Sequence, residues 1–214
     1  MINIVIADDH ALVREGLKRI VSDIANMRVC GEAANGSEVM QRVRELSPDV
    51  LMLDLSMPGR SGMELIKMVH AEKPLLRILV LSMHQELQYA VRAIKSGASG
   101  YLTKESAPEQ LEKALRQVAA GGAFISAEVA QQLALGAMPG SSAVAHESLS
   151  DREFEVFRLL AAGVSVTEIG TRLNLSVKTI STHKTHLMQK MELTNPSELI
   201  RYALKHGLTD QLEP

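Results

Sequence analysis

Along the first 120 residues, short apolar runs alternate with stretches whose apolar positions recur every three or four residues. The runs over 2–7, 28–33, 50–53, 77–81 and 100–103 are short, and several are rich in Val and Ile, which predicts strands. Between them, 11–24, 36–46, 62–71, 85–96 and 108–119 carry helical spacing. In the first of these, Leu12, Val13, Leu17, Ile20 and Ile24 fall on one face. Gly31, Gly36, Pro48, Pro58, Gly59, Pro74 and Gly97 punctuate the joins. Five β-α units in succession predict a doubly wound five-stranded parallel sheet, an α/β fold with helices on both faces. The apolar run 77–83 suits a central strand covered on both sides.

After Gly121-Gly122 the pattern changes. A short helix is expected over 127–137, and 136–145 is small, uncharged and Pro/Gly/Ser-containing, a linker composition. From Leu149 onward only helical spacing remains. Ser150 with Glu153 three residues on reads as a capping box. Further helices are expected over 167–173, 176–191 and 196–206, the last opened by Pro196 and closed by Gly207. The chain therefore divides into a domain over 1–120, a linker over 121–147 and an all-α four-helix domain over 148–214.

Composition narrows the function. With 3% aromatic residues and no Trp, a single-strand binder that stacks bases on aromatic rings is a poor fit. A net charge of -2 argues against a uniformly basic protein but leaves room for one basic face. The single cysteine, Cys30, can form neither an internal disulfide nor a Cys-based zinc site, which suits a reducing cytosol. The start of the chain lacks a basic segment followed by a long apolar one. No stretch approaches the roughly 18 apolar residues of a membrane span, so a cytoplasmic protein with no membrane partner is expected.

The chemistry concentrates at strand ends. Asp8 and Asp9 follow the first predicted strand, Asp54 the third, Ser82 the fourth and Lys104 the fifth. In a parallel sheet these residues converge on one edge, where open α/β sheets bind ligands. Converging carboxylates repel one another, and a hard divalent cation such as Mg2+ relieves that repulsion. A metal-bound Asp can attack a phosphoryl group, with a nearby ammonium neutralising the transferred charge.

The motifs Ile4-Val-Ile-Ala-Asp-Asp-His10, Val50-Leu-Met-Leu-Asp-Leu-Ser-Met-Pro-Gly59, Leu79-Val-Leu-Ser82 and Gly100-Tyr-Leu-Thr-Lys104 resemble the receiver domain of bacterial two-component response regulators. That resemblance implies that Asp54 is the phosphoacceptor. Asp9, Asp54 and the carbonyl of Ser56 would hold Mg2+, with Asp8 acting mostly through a bound water. Lys104 would pair with the phosphoryl group, the Ser82 hydroxyl would swing toward it, and Tyr101 would repack behind; half-buried strand packing is the plainer reading of Tyr101. Ser56 and His84 stand at positions that tune phosphoryl lifetime in the family.

In the helical segment, eight Lys/Arg balance eight Asp/Glu over 149–214. Yet 175–190 holds Lys178, Lys184 and Lys190 with His183, His186 and no acidic residue. One basic helix in a neutral domain is the footprint of a helix laid against phosphates. Helical spacing turns Val177, Ile180, Leu187 and Met191 inward and leaves Lys178, Ser181, Thr182, Lys184, Thr185 and Gln189 outside. The tight 173–176 turn between two helices suggests a helix-turn-helix, a reader of the major groove of double-stranded DNA.

Leu149-Ser-Asp-Arg-Glu153, Glu168-Ile-Gly-Thr-Arg-Leu173 and Leu175-Ser-Val-Lys-Thr-Ile180 resemble the LuxR-type DNA-binding domain, and the pair of modules is similar to the NarL/FixJ type of response regulator. The resemblance implies base contacts by Ser181, Thr182 and Thr185 and backbone contacts by Lys178, Thr179 and Lys184. The last helix, with Leu199, Ile200 and Ala203, resembles the family's dimerisation helix, though simple core packing explains it equally.

The implied function is a DNA-binding transcription regulator switched by phosphoryl transfer to Asp54 from a sensor histidine kinase or phosphotransfer protein. Phosphorylation would reorder the face around 85–96 and Tyr101, and either a homodimer would form or the domains would part and free the basic helix. Two alternatives compete. An aspartyl-phosphate phosphatase would carry a second Asp two residues after the nucleophile, where Ser56 stands. Such a chain would turn over phosphate esters, whereas a regulator is no enzyme beyond its own phosphorylation and dephosphorylation. A regulator independent of phosphorylation would have no use for the full set Asp8, Asp9, Asp54, Ser82 and Lys104.

Overall fold

The computed structural model describes residues 1–57, 62–83, 87–106, 108–136 and 144–208. The chain forms two compact units, Met1–Gln131 and Gln132–Pro214.

In the first unit the elements run β1 (Ile2–Ala7), α1 (Ala11–Ser22), β2 (Met27–Ala33), α2 (Gly36–Leu46), β3 (Val50–Asp54), α3 (Gly62–Glu72), β4 (Arg77–Ser82), α4 (Leu87–Lys95), β5 (Gly100–Thr103) and α5 (Pro108–Ala119). The strands form one parallel sheet in the order β2-β1-β3-β4-β5. Alternation along the strands sends Ile4, Ile6, Val50, Met52, Leu79 and Leu81 to one face, where they pack with Val21 of α1, with Ile24 just after it, and with Leu111, Leu115 and Val118 of α5. Val5, Leu51, Leu53, Ile78 and Val80 are buried on the other face, where α2, α3 and α4 lie side by side. The chain winds outward in opposite directions from the β1/β3 pair, so a crevice opens at the carboxyl ends of these two strands.

Local chemistry fixes the helix ends. Asn35 caps α2 by accepting from the Glu38 N–H, while the Glu38 carboxylate accepts from the Ala34 N–H. Helix α1 stops at Ser22, two residues short of its predicted end, because Asn26 adopts a left-handed φ of 68° and turns the chain into β2. Ile24 still reaches the core, but Leu12 does not: it is 87% exposed. Leu12 lies in the first turn of α1, where no described residue covers it. Gln85, at the predicted start of α4, lies outside the described residues, as does His84.

Helix α6 (Ala127–Gly136) spans the division between the units. Residues 137–143 of the expected linker lie outside the described residues. A 3-10 turn (Ala145–Ser148) precedes α7 (Asp151–Ala161), α8 (Val166–Arg172), α9 (Val177–Lys190) and α10 (Pro196–Lys205). Ser150, Ser165, Ser176 and Asn195 each cap one of these helices, accepting from the N–H of Glu153, Glu168, Thr179 and Glu198 respectively. Phe154, Phe157, Ile169, Ile180, Leu187, Met191, Leu199 and Ala203 are buried.

Candidate metal centre and nucleic-acid interface

Because β1 and β3 are neighbours in register, Ala7 against Leu53, the residues that follow them come abreast. Asp8 and Asp54 are each 1% exposed. Lys104 follows β5 at the sheet edge, and its N–H bonds the Ser82 carbonyl. From there the Lys104 side chain crosses β4, and its Nζ lies 2.6 Å from Asp8 Oδ2 and 2.7 Å from Asp54 Oδ2. The Ser56 N–H donates to Asp54 Oδ1 at 3.0 Å. Ser82 is fully buried at the end of β4, and Tyr101 is buried in β5, opposite Val80. The structure therefore brings Asp8, Asp54 and Lys104 into contact, places Asp9 beside them partly exposed, and sets Ser56 two residues past Asp54 and Ser82 at the end of the neighbouring β4.

Three carboxylates here face one ammonium. Burial alone would lower the Lys104 pKa, but its hydrogen bonds to Asp54 and Asp8 outweigh that and hold it above the usual lysine range. The acidic excess remains, and the donors are hard oxygens, so the cluster could hold a metal.

Sequence reasoning missed two residues here. His10 Nδ1 lies 3.0 Å from Asp9 Oδ1 and 3.3 Å from Asp8 Oδ1, and potential ligand atoms of Asp8, Asp9, His10 and Asp54 all fall within 4.8 Å of one another. The available signal was its place directly after the acidic pair. Arg14 donates to the Asp8 carbonyl at 2.7 Å and to Glu32 Oε2 at 3.1 Å, tying the acidic loop to β2. Hydrogen bonding by Lys18, with Arg14 adding to it against the opposing effect of burial, holds the Glu32 carboxyl below the usual carboxylate range. No pattern along the chain marked that pairing.

In the second unit, α8 and α9 meet through a tight turn. Asn174 takes a left-handed φ of 52°, and the Leu175 N–H bonds the Gly170 carbonyl at 2.8 Å. A Cβ on Gly170 would lie 2.8 Å from the Leu175 carbonyl oxygen, so the turn requires glycine there. Ile180, Leu187 and Met191 of α9 and its cap face the core, but Val177 is 47% exposed. At about 100° per residue, Val177 points 40–80° away from the other three, and it sits in the first turn, before α9 is covered. Lys178, Ser181, Thr182 and Thr185 are exposed, and Thr179 and Lys184 half-buried. The Thr182 and Thr185 hydroxyls donate to the carbonyls of Lys178 and Ser181, so they face outward as acceptors. The Thr179 hydroxyl pairs with the capping Ser176.

The basic helix is less basic than its sequence. Lys190 Nζ lies 2.6 Å from Glu153 Oε2 of α7. Glu153 is 4% exposed; burial would raise its pKa, but hydrogen bonds from Lys190 and Ser150 prevail and hold it below the usual carboxylate range. The acid that neutralises Lys190 comes from another helix, which a count along α9 could not show. Lys178 and Lys184 make no ion pair among the described residues.

Residues 4–116 match the family of the response regulator receiver domain, and residues 147–203 match the bacterial regulatory proteins of the luxR family. The response regulator UvrY of Escherichia coli (strain K12) is 35% identical over 209 residues, covering 97% of this chain and 96% of that protein. The response regulator GacA of Pseudomonas aeruginosa is 36% identical over 211 residues, covering 98% and 99%. This chain belongs to the response-regulator family. Its structure is similar to that of RcsB from Salmonella enterica serovar Typhimurium bound to promoter P1flhDC in the presence of phosphomimetic BeF3-. That similarity has a TM-score of 0.67 at 33% identity, over 94% of this chain and 97% of that one. Family membership makes this response regulator a phosphorylation-dependent regulator of transcription, of the NarL/FixJ type, and not a classical enzyme. Among the described residues no helix is long and apolar enough to cross a membrane.

Proposed function

We propose that Asp54 accepts a phosphoryl group from a sensor histidine kinase or phosphotransfer protein, and that the resulting switch controls dimerisation and binding of promoter DNA. The observation that carries this reading is Lys104 bridging Asp8 and Asp54 at the crevice between β1 and β3. A carboxylate oxygen of Asp54 forms a bond to phosphorus while the P–N bond of a phosphohistidine donor breaks, and the departing imidazole takes up a proton. Lys104 is already charged and aimed at Asp54, so its ammonium can pass to the incoming phosphoryl oxygens without a large rearrangement. Asp9, Asp54 and the Ser56 carbonyl would hold Mg2+, with Asp8 acting through water. Bound there, Mg2+ would neutralise charge on the transferred group.

Ser82, buried at the neighbouring strand end, would move its hydroxyl toward the phosphoryl group, and Tyr101 would repack behind it. The chain's only chemistry is its own phosphorylation and dephosphorylation, carried out in the cytoplasm. We assign the receiver to 1–120, the linker to 121–147 and the DNA-binding domain to 148–214. Ser181, Thr182 and Thr185 would meet base edges in the major groove, and Lys178, Thr179 and Lys184 the backbone. Helix α10 serves two ends: Leu199 and Ala203 fill the core, while Ile200 and Leu204, 38% and 64% exposed, are available to a second copy.

With acetyl phosphate and Mg2+, intact mass is expected to rise by one phosphoryl group and the elution volume to shift toward a dimer. Asp54→Asn is expected to abolish both changes. Phosphorylation or dimerisation that survives Asp54→Asn would overturn the assignment.

A further inference from the structure

We infer that Val177 is a specificity-determining residue of the DNA interface, reading the C5-methyl group of a thymine in the major groove. This rests on the reading of α9 as the groove helix and adds to it a residue outside the expected contact set. Val177 is the first residue of α9 and, among the described residues, the one large apolar side chain of that helix that is exposed, at 47%. The first turn of a recognition helix is the part that meets base edges. At about 100° per residue, Ser181 and Thr185 follow Val177 at about 40° and 80°, turning away from the buried Ile180, Leu187 and Met191. Val177 therefore opens the outward stripe to which base contacts are assigned, one turn nearer the helix start. Ser176 caps α9 by accepting from the Thr179 N–H at 3.0 Å, which holds the turn from which Val177 projects.

The chemistry of that face selects a base pair. Val177 offers only methyl groups. Thr182 and Thr185 spend their hydroxyl protons on the Lys178 and Ser181 carbonyls, at 3.0 Å each, so they keep an accepting oxygen and a methyl group for the groove. In the major groove an A·T pair shows the thymine methyl and the adenine N6 donor together, which matches this surface. A G·C pair shows the cytosine N4 donor without a methyl, and guanine shows acceptors alone.

The test uses the full chain phosphorylated with acetyl phosphate and Mg2+, on a duplex that this protein selects from a random pool. Each thymine is replaced in turn by deoxyuridine, which lacks only the C5-methyl and keeps every hydrogen-bonding group. Wild type is expected to lose about fourfold in affinity at one thymine of each half-site, the worth of one buried methyl. Val177→Ala is expected to bind the parent duplex more weakly and to be indifferent to deoxyuridine at that thymine, with any losses elsewhere unchanged. Val177→Ile, which keeps the apolar contact, is expected to retain the sensitivity. Wild-type affinity indifferent to every deoxyuridine, or a loss that survives in Val177→Ala at every sensitive thymine, would overturn this inference alone while Lys178→Ala still weakens binding. Binding unaffected by both Lys178→Ala and Lys184→Ala would overturn it together with the reading of α9 on which it rests.

Discussion

In the first unit Lys104 lies between Asp8 and Asp54 with Asp9 alongside, whereas in the second unit Lys190 reaches Glu153 alone. Both lysines neutralise a carboxylate that is almost fully buried. Around Glu153 the account closes: one acid, one base, and a capping serine that uses the remaining hydrogen bonds. Around Lys104 it does not close, because the acids outnumber the base, and the surplus asks for a further cation or for a group that lets Lys104 change partners. Matched charge marks a structural clasp, and mismatched charge marks a site with work left to do.

The sharpest way to break that contrast is to remove each lysine. Lys104→Gln leaves Asp8 and Asp54 buried and mutually repelling, and is expected to cost the first unit about 3 kcal/mol in chelator. Millimolar Mg2+ is expected to recover most of that loss in a thermal melt. Recovery by potassium at the same ionic strength would show that screening, and not a bound cation, was missing.

Lys190→Ala is expected to cost the second unit about 2 kcal/mol, with no recovery by Mg2+. The sign of its pH dependence follows from Glu153, whose folded pKa lies below its unfolded value. The stabilisation is fully present above the unfolded carboxylate range of about 4.3 and disappears as pH falls through the lowered folded value. Urea melts of wild type and Lys190→Ala should therefore converge in acid. A gap that stays constant down to pH 3 would place the effect in packing.

The smallest effect separates Lys184 from Lys190 on the same helix. Lys184→Ala is expected to lower the slope of log affinity for promoter DNA against log salt by about one, with little change in stability. Lys190→Ala should leave that slope alone. Equal slopes for the two variants would mean that Glu153 does not withhold Lys190 from the DNA.

The fold was legible because its signals are local. Alternating runs, the Ser150–Glu153 capping box before α7, and Pro196 at the start of α10 all act within a few residues of themselves. The acidic pocket was legible for a related reason: once the strands are parallel, topology alone gathers Asp8, Asp54, Ser82 and Lys104. Leu12 and Val177 kept helical spacing yet lie exposed, because periodicity tells which face a side chain is on and not whether a neighbour covers it at a helix end. His10 went unread since one histidine in a loop carries no period.

The sequence by itself determined the order of elements, the division into two units and the strand ends where chemistry could collect, since each depends on residues near one another in the chain. Only tertiary structure decided which charges cancel. The distance from Lys190 to Glu153 spans 37 positions and that from Lys104 to Asp8 spans 96, and electrostatic energy depends on separation in space. Packing α7 against α9 removed one lysine from the basic face, and packing five strands edge to edge left one lysine to serve three acids.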